Sequence, residues 1–153
     1  MDNYQIQIIF QLVLSVVLGG VIGLERETKG KAAGFQTYSL VTLGACIFTI
    51  ISFGLFDSFY GKANISFDPS RIVLAVATGI GFIGAGVIFQ RDSIHLEGIT
   101  TASGLWCAAA IGVALGSGLY FAALISTLLV IAIFMIFGKI ETDYLSRLKN
   151  KKR

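Results

Sequence analysis

The chain has 153 residues, 55% of them hydrophobic and only 14% charged, about half the charged share of a soluble domain, which argues against a soluble enzyme. The 12 Lys and Arg against 9 Asp and Glu leave a formal charge of +3. These basic groups form no face interleaved with aromatics, so the excess is read against anionic lipid and no nucleic-acid partner is expected.

Four blocks carry no charge at all: Asn3–Leu24, Ala32–Phe56, Ile72–Gln90 and Gly98–Gly138. A membrane-spanning helix needs roughly 20 apolar residues at about 1.5 Å each, so three blocks are one span long and the last, at about 62 Å, is two. The expectation is an all-α integral membrane bundle of five transmembrane helices. It occupies residues 1–138, and a basic tail follows over 139–153.

The first span, Ile6–Leu24, contains Gly19 and Gly23 in a GxxxG pattern and ends on Glu25 and Arg26. Its flanks lack the positive start and the small-residue cleavage site of a signal peptide, so it is expected to remain in the mature protein. The second span, Phe35–Phe56, carries Thr37 and Cys46. Cys46 and the later Cys107 both fall mid-span in no CxxC pair and are read as small packing residues. Asp57–Arg71, with an Asp68-Pro69 turn signal, forms the only sizeable loop on its side.

The third span, Ile72–Gln90, holds a small-residue stripe of Ala77, Gly81 and Ala85. It also contains Gly79-Ile80-Gly81-Phe82-Ile83-Gly84, which matches the dinucleotide fingerprint GxGxxG. That fingerprint needs a preceding strand and a βαβ unit, which a lipid-length run cannot provide. Gly81 and Gly84 either let the helix pack tightly or unwind locally and offer carbonyls to an ion. Arg91–Glu97 is a loop whose His95 reads as solvated.

The fourth span, Ile99–Gly116, lines up Thr100, Gly104, Ala108, Gly112 and Gly116, with Trp106 as a packing residue. Such stripes let helix backbones approach in lipid, either inside a monomer or between subunits. A homo-oligomer is expected, most simply a dimer, with Gly19 and Gly23 or the Gly104–Gly116 stripe at the contact. The fifth span, Tyr120–Gly138, is bulky and suits a lipid-facing helix.

Ten basic residues fall on one side, in Glu25–Lys31, Arg91–Glu97 and the tail, against Lys62 and Arg71 on the other. The tail is therefore expected in the cytoplasm and the N-terminus outside. Gly20-Val21-Ile22, Arg26, Gly34, Thr37 and Ser39 recur as Gly86-Val87-Ile88, Arg91, Gly98, Thr101 and Ser103. That faint repeat suggests two parallel hairpins plus a fifth helix.

No Asp, Glu, Lys, Arg or His lies at the centre of a span, so the midplane carboxylate relay of a proton-coupled transporter is missing. The candidates sit at the cytoplasmic ends: Glu25, Arg26, Arg91, Asp92 and Glu97. They suit an ion-pair network. Alternatively, Glu25 and Asp92, with Glu97, suit Mg2+, which takes a few carboxylate oxygens plus retained water. Thr37, Thr100 and Thr101 either hydrogen-bond such waters or bond their own helix backbone. Nothing reads as a catalytic residue, and no enzyme activity is expected.

Gly23-Leu24-Glu25-Arg26, Asp68-Pro69-Ser70-Arg71, the run Gly79 to Ile88, Gly98-Ile99-Thr100-Thr101-Ala102 and the run Leu105 to Gly112 together resemble the MgtC/SapB membrane domain. The resemblance implies a five-span bacterial inner-membrane protein linked to adaptation to low magnesium and, in some pathogens, to survival inside macrophages. Thr100, where the virulence branch is expected to carry Asn, and the short stretch after Gly138 imply a short, SapB-like form without the C-terminal cytoplasmic domain. Two functions follow as expectations: a membrane regulator of another membrane transport protein, or an oligomeric magnesium or other cation transporter or channel.

Overall fold

The computed structural model describes residues 2–60, 68, 70–90, 96–140 and 144. The charge-free blocks become helices: α1 (Asn3–Thr28), α2 (Phe35–Phe59), α3 (Arg71–Val87), α4 (Ile99–Gly116) and α5 (Tyr120–Ala132). The last continues through a π-helical stretch, Ile133–Phe137, as one apolar helix to Ile140. Four of the five are long and apolar enough to cross a membrane, and α3 is a shorter apolar helix. The protein is an all-α multi-pass membrane bundle.

The packing centres on α2, which lies between α1 and α4, while α3 rests mainly on α4. Small residues decide how closely these backbones approach. A Cβ on Gly23 would strike the Gly34 carbonyl and the Phe35 backbone, and one on Gly19 would strike Thr42 and the Tyr38 carbonyl. On the other flank, Gly112 faces the Thr42 carbonyl, Gly116 faces Thr49 and the Cys46 carbonyl, and Gly104 faces the Tyr38 hydroxyl and the Phe134 ring. The two stripes named as candidate subunit contacts are thus occupied inside the chain. They bring α1 and α4 onto α2.

The third span ends earlier than its hydropathy suggests. After Val87 the backbone turns extended at Ile88, and Phe89–Gln90 (β1) pairs antiparallel with Leu96–Glu97 (β2), Phe89 opposite Glu97. At about 1.5 Å per residue, the 17 residues of α3 rise about 26 Å, short of a bilayer core of about 30 Å. Gly79 to Gly84 lie inside this continuous helix, so the local unwinding considered for Gly81 and Gly84 does not occur. Gly84 packs on Ala102, whereas around Gly79, Gly81 and Gly86 there is open space for at least 4 Å from where a side chain would begin. Gly98 starts α4 at φ 93°, with the Val87 carbonyl where a side chain would project. A left-handed backbone this crowded admits only glycine.

The repeat seen in the sequence has a structural counterpart: α2 begins one residue after Gly34 and α4 one residue after Gly98. In α5 the buried positions Ala123, Thr127, Val130 and Phe134 form one stripe, with Tyr120 and Ile131 partly buried beside it, and most of the other bulky side chains face outward. Several interior hydroxyls are taken up by backbone carbonyls. Thr42, Thr49 and Thr127 each donate to the carbonyl four residues back, at 2.8–2.9 Å, and Ser39 donates to the Val16 carbonyl of α1.

Candidate functional site

One cluster gathers most of the chemistry, at the end of the bundle where α1 runs out into Glu25–Thr28. Arg26 ends an apolar helix, yet it is 4% exposed, because the turn at Gly30 and the entry of α2 at Phe35 fold that end of α1 inward, onto α4 and α5. Its Nη2 donates to Thr101 Oγ1 at 3.1 Å, and its guanidinium lies 4.2 Å from the centre of the Phe134 ring. A guanidinium over an aromatic face is favourable by about 2 kcal/mol when both are shielded from water. Thr101 is shared, since its carbonyl also accepts from the Tyr38 hydroxyl at 3.3 Å.

Glu25 lies between two cations. Lys29 Nζ is 2.5 Å from Oε1, and Arg26 Nη1 is 3.9 Å from Oε2. Lys29 also donates to the Phe134 carbonyl at 3.0 Å, within the π-helical turn. Arg26 of α1 and Lys29, which caps its C-terminal end, therefore hold the ring and the backbone of Phe134. Glu27, on the exposed side, accepts from the Phe35 amide at 2.7 Å and so caps the start of α2.

The sequence candidates fare unevenly. Glu25, Arg26 and Thr101 come together. Glu97 lies half-buried on β2, Thr37 is half-buried on α2, and Thr100 is exposed on α4. Arg91, Asp92 and His95 lie outside the described residues, as do Lys62 and most of the tail. Among the described residues no three His, Cys, Asp or Glu side chains group closely enough to hold a metal. Glu25 itself does not fit a magnesium ligand in this arrangement, because a divalent cation at its oxygens would face the charges of Lys29 and Arg26.

Sequence reasoning passed over Tyr38, Lys29, Phe134 and Gln11. Gln11 is the plainest omission. It is 4% exposed within α1, and its amide donates to the Leu115 and Gly116 carbonyls at 2.9 and 3.3 Å. A side-chain amide in mid-span was signal enough to find it. The partners of Tyr38 and Phe134 became visible only once the helices were assembled.

The MgtC family model matches residues 12–143 of this chain. A protein of Escherichia coli K12 named "Putative magnesium transporter YhiD" is 37% identical over 145 residues, covering 95% of this chain and 65% of its own length. Protein SapB of Bacillus subtilis is 37% identical over 124 residues, 81% of this chain and 53% of its own. Protein MgtC of Brucella abortus is 39% identical over 117 residues, 76% and 45%. This chain spans between 45% and 65% of the length of these relatives. No solved structure matches it.

Proposed function

The chain belongs to the MgtC family, and from that premise we propose that it serves magnesium homeostasis in a bacterial inner membrane as a non-enzymatic regulator of another membrane transport protein. The observation that carries this reading is the state of the Arg26 cluster. Its charges are spent on joining α1, α4 and α5, through Thr101, Phe134 and the Phe134 carbonyl. The carboxylate of the cluster, Glu25, is held by cations of its own helix. Hydroxyls that would line a hydrated path instead bond helix carbonyls. Such an interior suits a rigid partner-binding body better than a conduit for a strongly hydrated divalent ion, which dehydrates reluctantly.

The cluster faces the cytoplasm in this reading, as the positive-inside asymmetry requires. Copies of the chain associate over the outward face of α3, where Gly81 and Ala85 stay uncovered, and the stripes turned onto α2 take no part. A second reading, an oligomeric cation carrier, is favoured by the name of the E. coli relative. Magnesium flux into liposomes containing only this protein separates the two. The regulator gives no flux above empty vesicles, and saturable uptake would overturn it in favour of the carrier.

A further inference from the structure

Between α2 and α3 the helices diverge and leave a groove. Its larger part, a hollow of about 570 Å3, is lined by Leu40, Gly44 and Phe48 of α2 and by Val76, Gly79 and Ile83 of α3. A second hollow of about 360 Å3 shares Phe48, Ile72 and Ala75 with the first and opens onto Asp68 and Arg71. The two form one continuous cleft, apolar along its length and charged at one mouth. Gly44 and Gly79, on opposite walls, have no atom within 4 Å of where a side chain would begin.

We propose that this cleft binds one phospholipid whose headgroup carries both a phosphate and a primary ammonium, with an acyl chain lying between α2 and α3, the phosphate on Arg71 and the ammonium on Asp68. Three observations favour a lipid over a second copy of the chain. From Arg71 to Ile83 the cleft runs about 18 Å along α3, close to the roughly 15 Å depth of one leaflet. Polarity changes once along the described lining, at the Arg71 end, as it does in a lipid. Among the described residues the mouth offers one cation and one anion, which complements a zwitterionic headgroup better than a purely anionic one. Arg71 is exposed at the first residue of α3. Hydrogen bonds from Ser70 hold the Asp68 carboxyl below its ordinary value, so it is ionised at neutral pH. This inference needs only the membrane bundle and is independent of the regulatory reading.

The test uses the full chain purified from membranes and exchanged into nanodiscs of equal phosphatidylethanolamine and phosphatidylglycerol. Retained lipid is measured by native mass spectrometry after transfer to detergent. The expected result is one phosphatidylethanolamine kept per chain, with its preference over phosphatidylglycerol falling about threefold in Arg71→Gln and in Asp68→Asn, the effect of one exposed charge contact. Gly79→Leu, which fills the cleft, should abolish retention. A photoreactive phosphatidylethanolamine, labelled on the acyl chain, should mark peptides containing Gly44, Phe48 or Gly79 in the unmutated protein, so the test stands even where Gly79→Leu fails to fold. Equal retention of both lipids would overturn the headgroup assignment. Disulfide formation between copies carrying Gly79→Cys, with no photolabelling, would make the cleft a subunit contact and overturn the proposal.

Discussion

Arg26 and Thr101 stand 75 positions apart in sequence and meet at 3.1 Å, tying the end of α1 to the start of α4. The guanidinium is buried, so removing it strands Glu25 beside a single cation and leaves the Phe134 ring uncovered. Arg26→Ala is expected to lower stability by about 3 kcal/mol, the scale for breaking a buried charged contact. Thr101→Val removes one interhelical hydrogen bond and is expected to cost about 1 kcal/mol or less. Thermal unfolding in detergent measures both, and equal midpoints for Arg26→Ala and the parent protein would refute the lock.

Lys29 makes a different kind of contact, donating to the Phe134 carbonyl inside the π-helical turn. A π turn closes i→i+5 bonds and is easily relaxed, so an ammonium on its carbonyl helps to hold that geometry. Lys29→Met keeps the apolar stem and removes the donor. Hydrogen exchange at the amides of Ile133–Phe137 should accelerate in this variant while those of α4 stay protected. Unchanged exchange throughout α5 would show that the π turn holds without Lys29.

These contacts explain which parts of the protein could be read from sequence. The ends of α4 follow from a charge-free block and from Gly98, and the structure begins and ends that helix at Ile99 and Gly116 as expected. The end of α3 was hidden because Ile88, Phe89 and Gln90 carry no charge and prolong the apolar run, although the backbone leaves the helix at Val87. Glycine spacing identified the close-packed faces and was silent on which helix they meet. That choice depends on tertiary pairing, such as Gly112 against the Thr42 carbonyl. Arg26 was legible as a charge at a helix end, but its burial was not, since Phe134 reaches it from more than 100 residues away.

The glycines give a paired prediction. Gly112 lies against the α2 backbone and Gly81 has open space. Gly112→Leu must push α4 off α2, and overpacking of this kind costs about 1–3 kcal/mol or more where the neighbour is backbone. Gly81→Leu starts in open space among the described residues and should leave the monomer folded, while weakening association of copies over α3. Size-exclusion profiles and membrane abundance read out both. Loss of fold in Gly81→Leu, with Gly112→Leu normal, would reverse the assignment of the two faces.

Orientation follows from charge placement. Translocating a short, strongly basic loop across the inner membrane is disfavoured, and Lys and Arg near the helix ends set which side stays in the cytoplasm. Arg26 lies in the last turn of α1, Lys29 and Lys31 follow it in the short connection to α2, and Lys139, Arg147, Lys149, Lys151, Lys152 and Arg153 fall in the tail, against Lys62 and Arg71 in and after the connection from α2 to α3. Arg26 and Lys29 are partly neutralised by Glu25, but the rule counts basic residues rather than net charge, so the pairing does not weaken the expectation. Single cysteines placed at Lys62, Ala32 and Asn150, in a background with Cys46 and Cys107 replaced by Ala, should divide cleanly. A membrane-impermeant maleimide applied to intact spheroplasts should label position 62 alone, and positions 32 and 150 should react only after lysis. Labelling of position 150 from the outside would invert the topology and move the Arg26 cluster to the opposite face, away from any cytoplasmic partner.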